Sequence, residues 1–267
     1  MQYADADPEG ERHYRASIPK LKAAVADLAK QDLPFSLHLG DFIDRDFASF
    51  AAVLPLLKPL GHPVHHLLGN HDYTVADPMK GSVPSTLGMP GDYYVFRNSG
   101  VRFAMLDTND ISTYKHTEGS EADRAAEAEL AKLRTSKAAN AKPWNGMVSA
   151  KQLEWLEQEL SKADAADEPM IVCGHHPLLP ADGHGVWNSG ELPPLFRRHR
   201  SMRAYLCGHN HAGGEVVVEG LPFITLKSIL HQPDVTAYSV IRLYKDRLVI
   251  EGRGREKSRT IPLRKIS

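Results

Sequence analysis

Four short apolar runs in this chain each end at a glycine that is followed directly by residues with ligand-type side chains. In α/β folds, binding sites are usually built from the residues just past the carboxyl ends of strands. A glycine at such a point lets the backbone turn sharply and approach the site closely. We therefore expect the four junctions to converge. They are Gly40-Asp41, Gly69-Asn70-His71, Gly174-His175 and Gly208-His209-Asn210-His211.

The side chains of these junctions together have the composition of a transition-metal site. They offer one carboxylate, an amide oxygen and at least three imidazoles, and no thiolate. Mixed oxygen and nitrogen donors suit Mn, Fe, Zn or Co better than Ca or Mg. His209 and His211, two residues apart, can each give a nitrogen to neighbouring ions. Each junction alone is also a common turn, but their joint occurrence after predicted strands favours metal binding.

The apolar pattern alternates between helix and strand spacing over the first two-thirds of the chain and is strand-like in the last quarter. It predicts a layered α/β fold with two sheets between helices, largely parallel early and antiparallel late. No linker divides the chain, so residues 1–267 are expected to form one domain.

Individual elements follow from the same pattern. Helices are expected over about 14–30, 46–57 and 121–133, and a fourth begins at Ser149, where Gln152 completes a capping-box signal. Segment 77–90, rich in Pro, Gly and Ser, is expected to be a loop. Strands are expected over 35–39, 64–68, 93–97, 101–106, 170–173, 204–207, 215–218, 223–226, 237–244 and 248–252.

Charge and cysteine content narrow the classes of function. Lys and Arg number 32 against 33 Asp and Glu, a formal net charge of −1, which argues against a nucleic-acid or membrane-surface partner. No apolar run approaches the ~20 residues that span a bilayer. The first residues are acidic and polar rather than leader-like, and Cys173 and Cys207 end apolar runs as buried thiols. We expect a cytoplasmic protein with a small-molecule partner; nothing indicates its oligomeric state.

In this order, the motifs resemble those of the calcineurin-like binuclear metallophosphoesterases. The four motifs are GDxxD (Gly40 to Asp44), GNHD (Gly69 to Asp72), GHHP (Gly174 to Pro177) and GHNH (Gly208 to His211).

A closer resemblance, nearly end to end, is to the Mn-dependent ADP-ribose/CDP-alcohol diphosphatases. It is carried by QYAD (2–5), HYR (13–15), HLGDFID (38–44), PVHHLLGNH (63–71), MLDTND (105–110), Trp187-Asn188, GHNHAGG (208–214) and EGRGR (251–255).

The resemblance implies a four-layer α/β/β/α sandwich with mixed sheets and two divalent metal ions. Manganese is the first expectation for these ions, with Fe, Zn or Co as alternatives. Asp41 would bridge the two ions. One ion would be held by Asn70, His175 and His209, and the other by His211 and Gln2.

Two catalytic residues follow from the same resemblance. Asp41 would bridge the ions together with a hydroxide that attacks phosphorus in line with the leaving group. His71 would lie just outside the metals and give a proton or a hydrogen bond to the departing oxygen. Asp44 would support the site through His71 or a loop amide.

The amino terminus departs from the family pattern. That pattern begins with a strand ending in Asp-x-His or Asp-x-Gln, whose Asp is a ligand. Here Met1 takes the x position before Gln2, and the Asp and its strand are absent from the sequence. Two dications would face one carboxylate, so weak binding is expected on the His211 side. One hypothesis is that translation starts upstream; Asp5 or Asp7 as a substitute ligand is a weaker alternative.

Three functions remain open from the sequence. The first is hydrolysis of the diphosphate bond in nucleoside diphosphate-X compounds such as ADP-ribose or CDP-alcohols. The second is a cyclic-nucleotide or broad phosphodiesterase or phosphatase, which the metal motifs fit equally. The third is a metal-poor protein that binds nucleotides without cleaving them.

Substrate contacts are less constrained than the metal motifs. Trp187-Asn188 can stack a base or ribose, or pack a lid. Arg253 and Arg255 can pair with phosphates or with surface carboxylates. Both pairs of alternatives stay open.

Overall fold

The structure is a computed structural model that describes residues 1–264. Its α-helices are α1 (Ser17–Leu28), α2 (Ser49–Val53), α3 (Asp77–Lys80), α4 (Val83–Thr86), α5 (Glu121–Thr135), α6 (Ala150–Ala165) and α7 (Leu192–Arg198). The first six strands are β1 (Ser36–Leu39), β2 (Val64–Leu67), β3 (Tyr94–Asn98), β4 (Val101–Met105), β5 (Met170–Cys173) and β6 (Met202–Cys207). The later strands are β7 (Gly214–Val218), β8 (Leu221–Thr225), β9 (Ala237–Leu243), β10 (Arg247–Gly254) and β11 (Arg259–Pro262).

The strands of the described range form three sheets. A six-stranded mixed sheet has the order β3-β4-β5-β6-β8-β7, in which β4, β5, β6 and β8 are parallel and the edge strands β3 and β7 are antiparallel to their neighbours. A second sheet pairs β1 with β2 in parallel. A third sheet, β11-β10-β9, is antiparallel.

These sheets and helices stack in four layers. On one face of the large sheet, residues such as Val172 pack against α6 and α7 through Leu156 and Phe196. On the other face, Ile171 and Leu206 share a core with the two smaller sheets. Helix α1 covers the smaller sheets from outside. The α/β/β/α sandwich with mixed sheets is therefore confirmed.

A cavity of about 740 Å³ separates the two smaller sheets. We call it the inter-sheet slot. Strand β1 lines one side and β9 the opposite side, while α1 covers it above and Ile171 and Leu206 of the large sheet lie below. Within residues 1–264, β1 and β9 have no hydrogen-bonded neighbour across the slot. Within this range the slot therefore divides the second sheet of the sandwich into two parts, β1-β2 and β11-β10-β9.

Most predicted elements agree with the structure to within a few residues, and two differ. Segment 77–90 is not a plain loop, since Pro78 and Pro84 lie in the first turns of α3 and α4, where proline favours helix. The helix expected over 46–57 changes to a 3₁₀ helix at Leu54. Helix α7 and strand β11 were not predicted. Among the described residues, none of the helices is long and apolar enough to cross a membrane.

Candidate metal centre and active site

The loops after β1, β2, β5 and β6 meet at one end of the sheets, as the four junctions predicted. A fifth segment, the amino terminus, lies beside the loop that follows β1. Gln2 N donates to Asp41 O at 2.6 Å, and Tyr3 forms a parallel bridge with Ile43. These backbone contacts bring the side chain of Gln2 to the same place as the other candidate ligands.

Asp41 is the centre of this cluster. Its Oδ2 lies 3.3 Å from Nε2 of His175 and accepts a hydrogen bond from Nε2 of Gln2 at 3.1 Å. Its Oδ1 accepts the backbone N–H of His71 at 3.0 Å. The side chain of Asp41 is 5% exposed, so its charge lies in a region where water screens it little.

Each candidate histidine has one ring nitrogen fixed by the protein. His175 Nδ1 donates to Leu39 O at 2.8 Å, which leaves Nε2 toward Asp41. His209 uses Nε2 on Oδ1 of Asn145 at 3.1 Å, and its Nδ1 lies 3.2 Å from Nε2 of His175. Such contacts fix the tautomer and the ring orientation of metal-binding histidines. The two rings therefore present unprotonated nitrogens to each other and to Asp41.

Two amide oxygens beside the cluster lack any protein partner. Gln2 Oε1 and Asn70 Oδ1 are buried and, among the described residues, accept no hydrogen bond. A buried polar atom without a partner is costly in free energy unless an ion or water satisfies it. Oxygen acceptors next to a buried carboxylate and imidazole nitrogens are the donor set of a divalent transition metal. The residues present therefore fit such an ion.

The backbone around the cluster is strained and tightly packed. Gln2, Asp41 and His209 all have positive φ angles, of 59°, 58° and 62°, a conformation that costs free energy in residues other than glycine and that concentrates at functional sites. Gly40 has φ 88°, and a Cβ there would lie 2.5 Å from Nδ1 of His175. A Cβ on Gly69 would collide with the Asp41 carboxylate. Glycine is thus required at both junctions.

His176 lies in the same cluster but is not available as a ligand. Ligand-type atoms of His175, His176 and His209 all lie within 4.8 Å of one another. However, His176 Nδ1 lies 2.8 Å from the hydroxyl of Thr108, and its Nε2 lies 3.1 Å from Trp144 O. Both ring nitrogens are therefore engaged by the protein. Its ring packs against those of His175 and His209.

Asp72 joins the loops after β1 and β2. It is fully buried and accepts backbone hydrogen bonds from Gly69, Asp41, Phe42 and Ile43 at 2.7–3.2 Å. Asp72 is part of the GNHD motif, but no role for it is predicted from the sequence. The signal that identifies it is its place as the fourth residue of that motif, three residues past the glycine.

His71 and Asp44 form a pair at the rim of the cluster. Asp44 Oδ1 lies 2.9 Å from His71 Nδ1, which confirms the expected support of His71. Burial lowers the pKa of His71, but the charges of Asp41 and Asp44 outweigh burial and leave the pKa above its usual value. His71 is therefore suited to carry a proton.

Three candidate ligands, Asp41, His209 and His211, are in the protonation states that bind metal. Burial alone would raise the pKa of Asp41, but His175 and His71 outweigh burial and hold this pKa well below its usual range. Burial also lowers the pKa of His211 to about 3 and holds that of His209 well below its usual value. Metal binding requires a charged carboxylate and neutral imidazoles.

A family model described as calcineurin-like phosphoesterase matches residues 13–213, well over half of the chain. The chain belongs to the calcineurin-like phosphoesterase family. Membership confirms what the four motifs predicted and makes this protein a metal-dependent phosphohydrolase.

This calcineurin-like phosphoesterase is similar to proteins named manganese-dependent ADP-ribose/CDP-alcohol diphosphatase. The one from Oryza sativa subsp. japonica is 31% identical, over 94% of this chain and 88% of its own length. The one from Danio rerio is 28% identical, over 98% of this chain and 95% of its own length.

Solved structures give the same result. A dimetal phosphatase from Danio rerio has a TM-score of 0.88 at 26% identity, and the match covers 98% of this chain and 96% of that one. GAP50 of Plasmodium, with a TM-score of 0.63 at 14% identity over 96% of this chain and 86% of that one, shares the fold.

Two of the predictions made from the sequence do not fit the structure: a substitute ligand at Asp5 or Asp7, and a substrate contact at Trp187-Asn188. Asp5 and Asp7 do not take the place of the absent ligand, since their side chains are 80% and 91% exposed and both pair with Arg15. Trp187 is buried and donates Nε1 to Lys142 O at 3.1 Å. Asn188 holds the backbone of Val148 through both amide atoms, so the pair packs the protein rather than facing substrate.

The two late arginines of the phosphoesterase also have protein partners. Arg253 lies between Asp27 and Glu251 at 3.9 and 3.8 Å, and Arg255 donates to Ser228 O at 3.0 Å. These partners favour a structural role for Arg253 and Arg255 over pairing with substrate phosphates.

Proposed function

We propose that this phosphoesterase hydrolyses the diphosphate bond of nucleoside diphosphate-X compounds, such as ADP-ribose and CDP-alcohols, with two Mn²⁺ ions. The observation that carries the proposal is the pair of buried acceptor oxygens, on Gln2 and Asn70, that have no hydrogen-bond partner among the described residues. The names of the manganese-dependent relatives support the choice of metal and substrate.

The proposed roles follow the sequence prediction. Asp41 would hold both ions and is a catalytic residue of the proposal. Asn70, His175 and His209 hold one ion, and Gln2 and His211 hold the other. When bound, the ions supply Lewis acidity at the phosphoryl oxygens and neutralise their charge.

His71 is the second catalytic residue of the proposal. Asp44 engages its Nδ1, so its Nε2 is left to face a leaving group. The neighbouring carboxylates raise the pKa of His71, which favours the protonated ring. From this position His71 donates a proton or a hydrogen bond to the departing oxygen. A departing phosphate monoester needs this donor less than a departing alkoxide does, because the monoester is the better leaving group.

Arg12 gives the site a positive charge near these groups. It is half-buried, and its charge acts on both His71 and His211, opposing protonation of each. A guanidinium in this place can pair with two oxygens of a phosphate group through two parallel hydrogen bonds.

A substrate panel tests the proposal. Purified protein loaded with Mn²⁺ is assayed with ADP-ribose, CDP-choline, cyclic AMP and bis-p-nitrophenyl phosphate, and its bound metal is counted. We expect the two diphosphates to have the highest kcat/KM. Preference for cyclic AMP or bis-p-nitrophenyl phosphate would indicate a phosphodiesterase instead. Protein that binds the nucleotides but holds no metal and cleaves none would indicate a binding protein.

The proposal also includes the cellular compartment in which the enzyme acts. Both cysteines, Cys173 and Cys207, are free and buried, which suits a reducing compartment such as the cytoplasm. We propose that one catalytic domain acts there on small molecules and without a nucleic-acid partner.

A further inference from the structure

Behind His211 lies a chain of two hydrogen bonds that sequence reasoning did not identify. His211 Nδ1 lies 2.8 Å from Nε2 of His231. His231 Nδ1 in turn lies 3.2 Å from Oε2 of Glu11. The two imidazole rings meet nearly edge to face, with centroids 4.9 Å apart. Within the described residues, His211 is thus the one proposed ligand with a ring nitrogen at hydrogen-bond distance from a histidine that is not itself a proposed ligand.

The direction of these hydrogen bonds follows from the carboxylate. An ionised Glu11 only accepts hydrogen bonds, so Nδ1 of His231 carries the hydrogen. A neutral His231 ring then has a lone pair on Nε2, which accepts the N–H at Nδ1 of His211. His211 is left with an unprotonated Nε2. That nitrogen is the one its ring can offer to a metal ion.

The segment that carries His231 is itself firmly held. Lys20, which is 4% exposed, donates its amine to the backbone oxygens of residues 229–232. Arg12 forms an antiparallel bridge with His231, and His13 N donates to Leu230 O at 3.1 Å. A segment tied at so many backbone atoms gives the His231 ring a defined position.

We propose that His231, supported by Glu11, is a positioning residue that fixes the tautomer and orientation of His211 for binding the second ion. This inference rests on the proposed function, in which His211 is a ligand. It matters most at this ion, because within residues 1–264 the ligand set proposed for it has only the shared carboxylate of Asp41 to supply charge. A weakly held ion depends strongly on how well its neutral ligands are oriented.

Metal titration tests the role of His231 without relying on activity. Metal-free protein is titrated with Mn²⁺, and free Mn²⁺ is followed by electron paramagnetic resonance. For the wild type we expect a tighter and a weaker site. For His231→Phe we expect the weaker site to lose affinity by about 10–100-fold, the usual cost of removing the group that orients a ligand, and the tighter site to stay unchanged.

Two further variants separate positioning from packing. Gln can place its amide oxygen near the position of Nε2, so His231→Gln should restore most of the affinity. Asn is too short to reach His211, so His231→Asn should resemble His231→Phe. The matched control is His199→Phe, which also breaks a histidine–carboxylate pair, 2.8 Å to Asp164, but away from the site; both Mn²⁺ sites should persist. If His231→Phe does not fold, the comparison of Gln with Asn decides the question.

The outcomes separate this inference from the proposed function. His231→Phe or His231→Asn with both Mn²⁺ sites at wild-type affinity would overturn the role of His231. His211→Ala is the reference variant and should lose the weaker site entirely. If His211→Ala keeps both sites, His211 is not a ligand and the proposed function itself fails.

Discussion

Oδ1 of Asp44 lies 2.9 Å from Nδ1 of His71 and also accepts the hydroxyl of Thr74 at 3.3 Å. The side chain of Asp44 is 5% exposed, whereas that of His71 is 18% exposed. The carboxylate is therefore held inside the protein while the ring reaches toward the surface of the site. This arrangement fixes which nitrogen of His71 can meet a substrate.

His71→Ala should distinguish substrates by their leaving groups. For a phosphodiester that expels an alkoxide, we expect kcat to fall by about 10²–10⁴-fold, the usual contribution of a general acid. For ADP-ribose the loss should be much smaller, because the departing phosphate monoester needs little protonation. Steady-state kinetics on both substrates measure the difference. Asp44→Asn is the companion variant and should show a smaller difference between the two substrates. Equal losses of kcat on both substrates in His71→Ala would contradict the role of His71 as a proton donor.

Asp41→Asn should abolish turnover and weaken metal binding together. The substitution keeps the shape of the side chain and its contact with the His71 N–H, but it removes the charge that the proposed ions share. Metal content after dialysis and hydrolysis of ADP-ribose are the two measurements. Asp46→Asn changes an exposed carboxylate near the same loop and serves as the control. Full metal content in Asp41→Asn would show that Asp41 does not bridge the ions.

Asp72→Ala should destabilise the protein by more than about 3 kcal/mol, since it leaves several buried N–H groups without an acceptor. Its contacts with Gly69 and Phe42 join two loops that carry proposed ligands, so Mn²⁺ affinity should fall as well. Urea unfolding gives the free energy of unfolding, and Mn²⁺ titration gives the affinity. Asp72→Asn retains one acceptor oxygen and should lie between the wild type and Asp72→Ala. An unchanged midpoint in Asp72→Ala would refute its role as the link.

The metal-free protein should lose stability as pH falls below about 6.5, the usual pKa of an unfolded histidine. Burial lowers the pKa of His66 to about 4 and that of His176 to about 3. Between these values and 6.5, the unfolded chain binds protons that the folded protein does not. The free energy of unfolding therefore decreases toward acid, by about 1.4 kcal/mol per pH unit for each such group.

Urea unfolding at pH 7.5 and 5.5, with chelator present, measures this dependence. His66→Gln should reduce the difference between the two pH values. Leu67→Val creates a small cavity next to His66 in the chain without altering a titratable group, so it should lower stability equally at both pH values. A wild-type protein that is more stable at pH 5.5 would contradict the prediction.

The sequence predicted what depends on local pattern. The spacing of apolar residues and the turn residues that follow them predicted strands such as Met170–Cys173 with the observed end residues. The glycine junctions identified Asp41, Asn70 and His175 as residues that come together. Ser149 caps α6 through the N–H of Gln152 as predicted, but the Gln152 side chain bonds Asp107 instead of completing the capping box.

The supporting residues were not predictable in the same way. Asn145 meets His209, and His231 meets His211, across chain separations of 64 and 20 residues. Neither residue lies in a motif. Their roles depend on three-dimensional packing, which no local spacing reveals. The predicted weakness of the second metal site, by contrast, follows from charge alone and stays a prediction.

An extension at the amino terminus would test two points together: the predicted low affinity of the second metal site, and whether the inter-sheet slot can accept a strand. The slot has the open edges of β1 and β9 on its sides and apolar residues above and below, and its far end is lined by Asp41, His209 and His211. The amine of Met1 donates to Asp41 O at 2.6 Å, and burial lowers its pKa. A peptide bond at this nitrogen would remove a buried charge and direct added residues into the slot.

We expect a variant with Val-Ile-Val-Ser-Asp joined before Met1 to be more stable by a few kcal/mol. Burial of each apolar side chain contributes about 1.5–3 kcal/mol, which exceeds the cost of about 1–2 kcal/mol for ordering each backbone residue when both edges also gain hydrogen bonds. The side-chain carboxylate of the added Asp should also raise the affinity of the weaker Mn²⁺ site. An extension ending in Asn should keep the added stability without the gain in metal affinity, and a Gly-Ser extension should give neither. If all three extensions unfold and bind Mn²⁺ alike, the slot does not accept a strand.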